Sequence, residues 1–99
     1  MILTTTNSIE NHAIQDYLGI VTGVDVNMPK ATLSFSMKKY YDSYENKINE
    51  VKEAAFQKLK DNAKKLNANA VVGISLDIET SPTTGLIMVS ITGTAVKVS

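Results

Sequence analysis

Ninety-nine residues leave room for one hydrophobic core and not for a second, and residues 1–99 read as a single domain. Ten basic and ten acidic side chains cancel, which argues against a chain built to coat nucleic acid or an anionic membrane. With no cysteine the sequence excludes disulfides, thiolate metal sites and a cysteine nucleophile, and it fits a reducing cytoplasm.

So short a chain buries only about 60–65% of the surface that its unfolded form exposes, and oligomerisation is a common way to gain more. The N-terminus, Met1-Ile2-Leu3-Thr4-Thr5-Thr6, lacks the basic and apolar regions of a signal peptide. No apolar run approaches the 18–20 or so residues that would cross a bilayer, so a soluble, cytoplasmic protein is expected.

The first extended segment, Ile2 to Thr5, is short and threonine-rich, and Asn7-Ser8 reads as a turn. From Gln15 to Val26 the β-branched and aromatic content predicts a strand. Gly19 and Gly23 interrupt it, and glycines in a strand mark a bulge, a bend or the close approach of another backbone. Asn27-Met28-Pro29-Lys30 breaks the strand. Helical spacing then connects Met37, Tyr41, Tyr44, Ile48, Val51, Ala55, Leu59, Ala63 and Leu66 into one apolar stripe along a long amphipathic helix. Asp42-Ser43-Tyr44-Glu45 has an Asp/Glu version of the capping-box spacing, which allows a restart or kink near Asp42. Lysines 58, 60, 64 and 65 complement the helix dipole at the C-terminal end, where Asn67 suits a left-handed cap.

Ala70 to Glu79 forms the third strand, with Val72, Ile74, Leu76 and Ile78 expected on one unbroken apolar face. The turn Thr80 to Gly85 leads into a fourth strand, Leu86 to Val98, and the two strands predict an antiparallel hairpin. The fourth strand is apolar on both faces: Ile87, Val89, Ile91 and Ala95 oppose Leu86, Met88, Val96 and Val98. The second strand repeats the pattern, with Leu18, Ile20, Val24 and Val26 opposed to Tyr17 and Val21. One helix covers only one face of a small sheet, so the other face calls for self-association, economically as a closed ring. A strongly curled sheet that covers itself is the simpler alternative.

Three stretches, Met1 to Thr6, Tyr17-Leu18-Gly19-Ile20-Val21-Thr22-Gly23 and Ala68-Asn69-Ala70-Val71-Val72-Gly73-Ile74, resemble the YbjQ-like family of small bacterial proteins. Met88 to Val96 and Tyr44-Glu45 fit the same family, and the motifs follow in its order over nearly the whole chain. The resemblance implies a β-rich subunit with one long helix, assembled as a homopentamer in a dodecin-like arrangement. The family is uncharacterised and carries a heavy-metal-binding label. The chain departs from its pattern in the turn before the helix, where a Gly-Arg-Ser-Gly type turn gives way to Met37-Lys38-Lys39-Tyr40-Tyr41-Asp42-Ser43. Any binding role of that turn is therefore in doubt here. Asn67 replaces the usual glycine at the helix C-cap, an exchange that keeps a left-handed residue.

His12 is the only histidine, and a metal site within one chain needs two to four ligands that spacing does not supply around it. A ring multiplies each ligand around an axis, which keeps His12 a candidate. Asp77 and Glu79, two apart on one strand face, could hold a hard cation, against the simpler reading of a solvated face; Asp25 is a weaker candidate. The lysines of the helix share it with Glu50, Glu53 and Asp61, and Asp61–Lys65 has the favourable order for a salt-bridged solvent face. Tyr40, Tyr41 and Tyr44 suit a core or subunit interface. Neither a phosphate-binding glycine pattern nor a nucleophile–base–orienter set can be assembled.

The sequence thus reads as an α+β subunit, a small antiparallel sheet carrying one long helix, that assembles as a ring. Its expected role is a binding or scaffold module rather than an enzyme, with itself as partner and neither nucleic acid nor membrane. The alternative is a divalent-metal-binding protein using His12, Asp77 and Glu79 repeated around a homopentamer.

Overall fold

Alternating and helical periodicities lie in the order strand, helix, hairpin, and a computed structural model turns each into its element. It describes residues 1–27, 37–81 and 83–99, with residues 37–44 described by backbone alone. The elements are β1 (Ile2–Leu3), β2 (Ile14–Asn27), α1 (Met37–Lys65), β3 (Ala70–Ser81) and β4 (Leu86–Val98). They form one four-stranded sheet in the order β1-β3-β4-β2 with the helix on one face, the expected α+β class. The sheet is mixed rather than purely antiparallel. Ile2 and Leu3 run parallel to Ala70 and Val71, a pairing that the long connection through β2 and α1 permits. The breaker at Met28-Pro29-Lys30 lies outside the described residues.

α1 runs without interruption through Asp42, so no second helix starts there. Its C-terminus is a Schellman motif: the Ala68 N–H donates to the Ala63 carbonyl and the Asn67 N–H to the Lys64 carbonyl. Asn67 has the left-handed φ of 63° that this ending requires. Of the predicted stripe the stretch from Val51 to Ala63 is buried, whereas Leu66 at its end is exposed. Val51, Ala55, Leu59 and Ala63 are buried against Val21, Ile87, Val89, Ile91 and Ala95, and Ile48 packs at the border. Met37, Tyr40, Tyr41 and Tyr44 have side chains outside the described residues.

α1 lies over β2 and β4, and at Gly23 it comes too close to leave room for a side chain. A Cβ built there would stand 2.1 Å from the Ala55 carbonyl oxygen and 2.7 Å from the Leu59 nitrogen. The glycine is thus the point at which helix backbone meets strand backbone, one of the roles expected of it.

Three register shifts, two in β2 and one in β3, overturn the simple alternation expected for these strands. Between Val72 and Ser75 β3 advances three residues while β4 advances two, from Thr94 to Thr92. Gly73 absorbs the extra residue at φ 62°. The side chains before and after it therefore change sides. Val71 and Ile74 share the helix-side core, whereas Val72 packs with Ala70, Val96 and Val98 on the other face. The expected unbroken face from Val72 to Ile78 does not exist. In β2 a second shift between Tyr17 and Gly19 places Leu18 with Val21 on the helix side and Tyr17 opposite Val96. The reading that set Leu18 with Ile20 is corrected in the same way, because one inserted residue inverts every side chain beyond it.

For β4 the two faces are as read from its sequence: Ile87, Val89, Ile91 and Ala95 lie in the helix-side core, and Val96 and Val98 lie opposite. Part of that second face is covered by the chain itself, since Ile9 and Ile14 pack on Val96 and Val98.

Candidate functional site

Beyond Ile9 and Ile14 no other described residue covers the helix-free face of the sheet, and its strand register defines a surface of three columns. Ser75 lies across from Thr92 and Thr22, Asp77 from Ser90 and Val24, and Glu79 from Met88 and Val26. β3 thus contributes an acidic column, β4 a central column of hydroxyls and Met88, and β2 a mainly apolar one in which Thr22 is the polar member. In that apolar column Ile20 is 81% exposed and Tyr17 70%, followed by Val26 at 47% and Val24 at 42%. Single exposed apolar residues are ordinary, but a contiguous column of β-branched and aromatic side chains is the signature of an interaction surface. On the helix side Leu76 and Ile78 remain 41% and 39% exposed, at the margin of the helix, which lies over β2 and β4.

The proposed ligands fall at opposite ends of this sheet. His12 lies beside the end of β4, its Nδ1 2.6 Å from the Ser99 carbonyl oxygen. Asp77 pairs with Ser90, nine positions before Ser99, which at about 3.3 Å per residue is a separation of roughly 25–30 Å. Asp77 and Glu79 do share one exposed face, as predicted, but no third donor joins them: no cluster of three His, Cys, Asp or Glu exists among the described residues. The donors that the described residues of one chain bring together therefore do not make up a metal site. The weaker candidate Asp25 is engaged elsewhere. Its Oδ1 lies 2.7 Å from Lys58 Nζ, the one salt bridge among the described residues. The expected Asp61–Lys65 pair is not formed; Asp61 instead accepts the Gln57 amide at 3.0 Å.

Two polar side chains that the sequence reading passed over hold the fold together. The Asn69 amide donates to the Val98 carbonyl while its oxygen accepts the Val98 N–H, both at 2.8 Å. It thereby continues the β3–β4 ladder with a side chain. Asn62 donates to the Thr22 carbonyl at 2.8 Å, beside Lys58, whose ammonium donates to the Val24 carbonyl at 3.1 Å. The only signal for either asparagine was its position at a helix end or on a helix flank. Among the described residues no helix is long and apolar enough to cross a membrane.

Fold and surface together define a small α+β sheet subunit with one face under a helix and most of the other left uncovered by the described residues. The chain belongs to the YbjQ family: the family model, described as "Putative heavy-metal-binding", matches residues 1–99. An uncharacterised "UPF0145 protein" of Anoxybacillus flavithermus is 41% identical over 98% of this chain and 97% of its own. Another from Halalkalibacterium halodurans is 42% identical over 98% and 95%, and one from Corynebacterium jeikeium 38% over 97% of each. A crystal structure of a DUF74-family protein of unknown function from Pediococcus pentosaceus superposes with a TM-score of 0.72. It covers 100% of this chain and 98% of that one at 22% identity, a likeness of fold. The family's function is uncharacterised.

Proposed function

We propose that the chain is a self-associating binding or scaffold module of the cytoplasm, a homopentamer on the family resemblance, with no catalysis of its own. The observation that carries this reading is the apolar column of Tyr17, Ile20, Val24 and Val26 on the helix-free face. Burying apolar surface contributes about 25 cal/mol per Å², and a chain of this size has little other surface to gain from. Other copies of the chain are the economical partner, because a closed ring buries every column without leaving an unpaired end. Balanced charge favours such a partner over nucleic acid or a membrane. The test is native mass spectrometry on protein purified without chelator or added metal. A five-fold mass is expected, and a monomer under conditions that preserve other oligomers would overturn the reading.

A metal-binding alternative is favoured by one specific observation besides the family's description. His12 Nδ1 lies 2.6 Å from the Ser99 backbone oxygen, a contact that orients the ring as backbone carbonyls orient histidines that ligate metals. Because one chain does not bring the ligands together, this reading needs His12, Asp77 and Glu79 repeated around the ring axis. With no cysteine present, any such site would offer nitrogen and oxygen donors to a divalent ion. Metal analysis of wild type beside His12→Ala, Asp77→Asn and Glu79→Gln decides it. Loss of a stoichiometric load in a variant identifies a ligand, and unchanged loading in all three removes them from consideration.

A further inference from the structure

Among the described residues β2 is an edge strand of 14 residues, paired with β4 on one side only. An unpaired edge of that length is a template for another strand, and folded proteins defend such edges with charges, prolines or covering groups. Two helix side chains reach this one. Asn62 donates to the Thr22 carbonyl at 2.8 Å and Lys58 to the Val24 carbonyl at 3.1 Å. Thr22 and Val24 are two apart, so their carbonyls point the same way along the strand. Lys58 is held over the edge by Asp25 Oδ1 at 2.7 Å, an ion pair between helix and strand instead of between two turns of the helix.

We infer that Asn62 and Lys58 guard the outer edge of β2 against strand addition, so that this chain cannot pair edge to edge through β2. An incoming strand needs those two carbonyls as acceptors for its own N–H groups, and both already accept a donor anchored in the helix. The geometry is economical. α1 must cross β2 at Gly23 to close the core, and that crossing brings residues 58 and 62 to the strand's outer margin. A guarded β2 edge also means that self-association uses side chains of the sheet face and not this ladder. The guard does not depend on that association taking place.

The experiment is sedimentation velocity of Lys58→Ala/Asn62→Ala beside wild type over a range of concentrations. Alanine favours the helix and adds no large apolar group, so the variant removes the two donors and the exposed Lys58–Asp25 pair without adding an apolar surface. Two freed β2 edges can pair about a two-fold axis, so an increase of about two-fold in assembly mass is expected as concentration rises. Thr22→Pro placed in the double variant should restore the wild-type mass, because proline removes an edge N–H and blocks pairing. A folded double variant that keeps the wild-type mass throughout overturns the proposal. So does an association that Thr22→Pro leaves in place, since it would not be strand pairing. If circular dichroism shows the double variant unfolded, Asn62→Ala alone carries the same test with the same two outcomes.

Discussion

Asn69 joins two segments of the chain that lie 29 positions apart, through two hydrogen bonds of 2.8 Å to the backbone of Val98. Its own N–H donates to the Val96 carbonyl, and its carbonyl accepts the Ile2 N–H, so one residue ties together β1, β3 and β4. Replacing it by alanine leaves a backbone N–H and a carbonyl without partners in a part-buried place. The expected cost is about 1–3 kcal/mol, read as a lower midpoint in urea unfolding with an unchanged slope. Gly23 makes a contrasting case. Its role as a close approach was one of three that a glycine amid β-branched residues allows, beside a bulge and a bend. Gly23→Ala would press a methyl group onto the helix backbone at Ala55 and Leu59, which cannot give way as a side-chain tip can. Overpacking of that kind costs about 1–3 kcal/mol. The role of Asn69 was not legible, because the sequence does not say which distant carbonyl an amide will meet.

The elements themselves were readable and their facing was not. Periodicity located α1 and its buried stripe through Val51, Ala55, Leu59 and Ala63, since tertiary packing reinforces a pattern already present in the chain. The hairpin of β3 and β4 was equally plain. What failed was the alternation across Gly73 and across Leu18, because one bulged residue inverts the parity of a strand and leaves composition unchanged. Gly73 can be tested for that role. A Cβ there would meet only Asn7 Oδ1 at 3.5 Å, an ordinary contact, so space is not what requires glycine. The φ of 62° is. Gly73→Ala should cost about 1 kcal/mol in chemical denaturation, and Gly73→Asn less, because asparagine tolerates the left-handed region. Equal stability of all three proteins would mean that the bulge is not held by this residue.

For the molecule as a whole, the pairing of Asp77 with Glu79 on one face was legible from a spacing of two, whereas their distance from His12 follows from the strand order and lay beyond any local pattern. The two-faced character of β4 pointed to self-association, although Ile9 and Ile14 cover part of the face that it invoked. The uncovered part separates folding from assembly. Val89 is fully buried beneath α1, so Val89→Asp places a charge in the core and should prevent folding at any concentration. Ile20 is 81% exposed in one chain, and an aspartate there costs the isolated subunit little. If Ile20 lies in a subunit interface, the same aspartate is desolvated once per subunit, next to others like it. Ile20→Asp should then keep the wild-type far-ultraviolet circular dichroism and lose the assembly, with a subunit-sized mass by native mass spectrometry. An Ile20→Asp protein of undiminished assembly mass would place the interface elsewhere, with the Leu76 and Ile78 margin of the helix side as the next surface to probe.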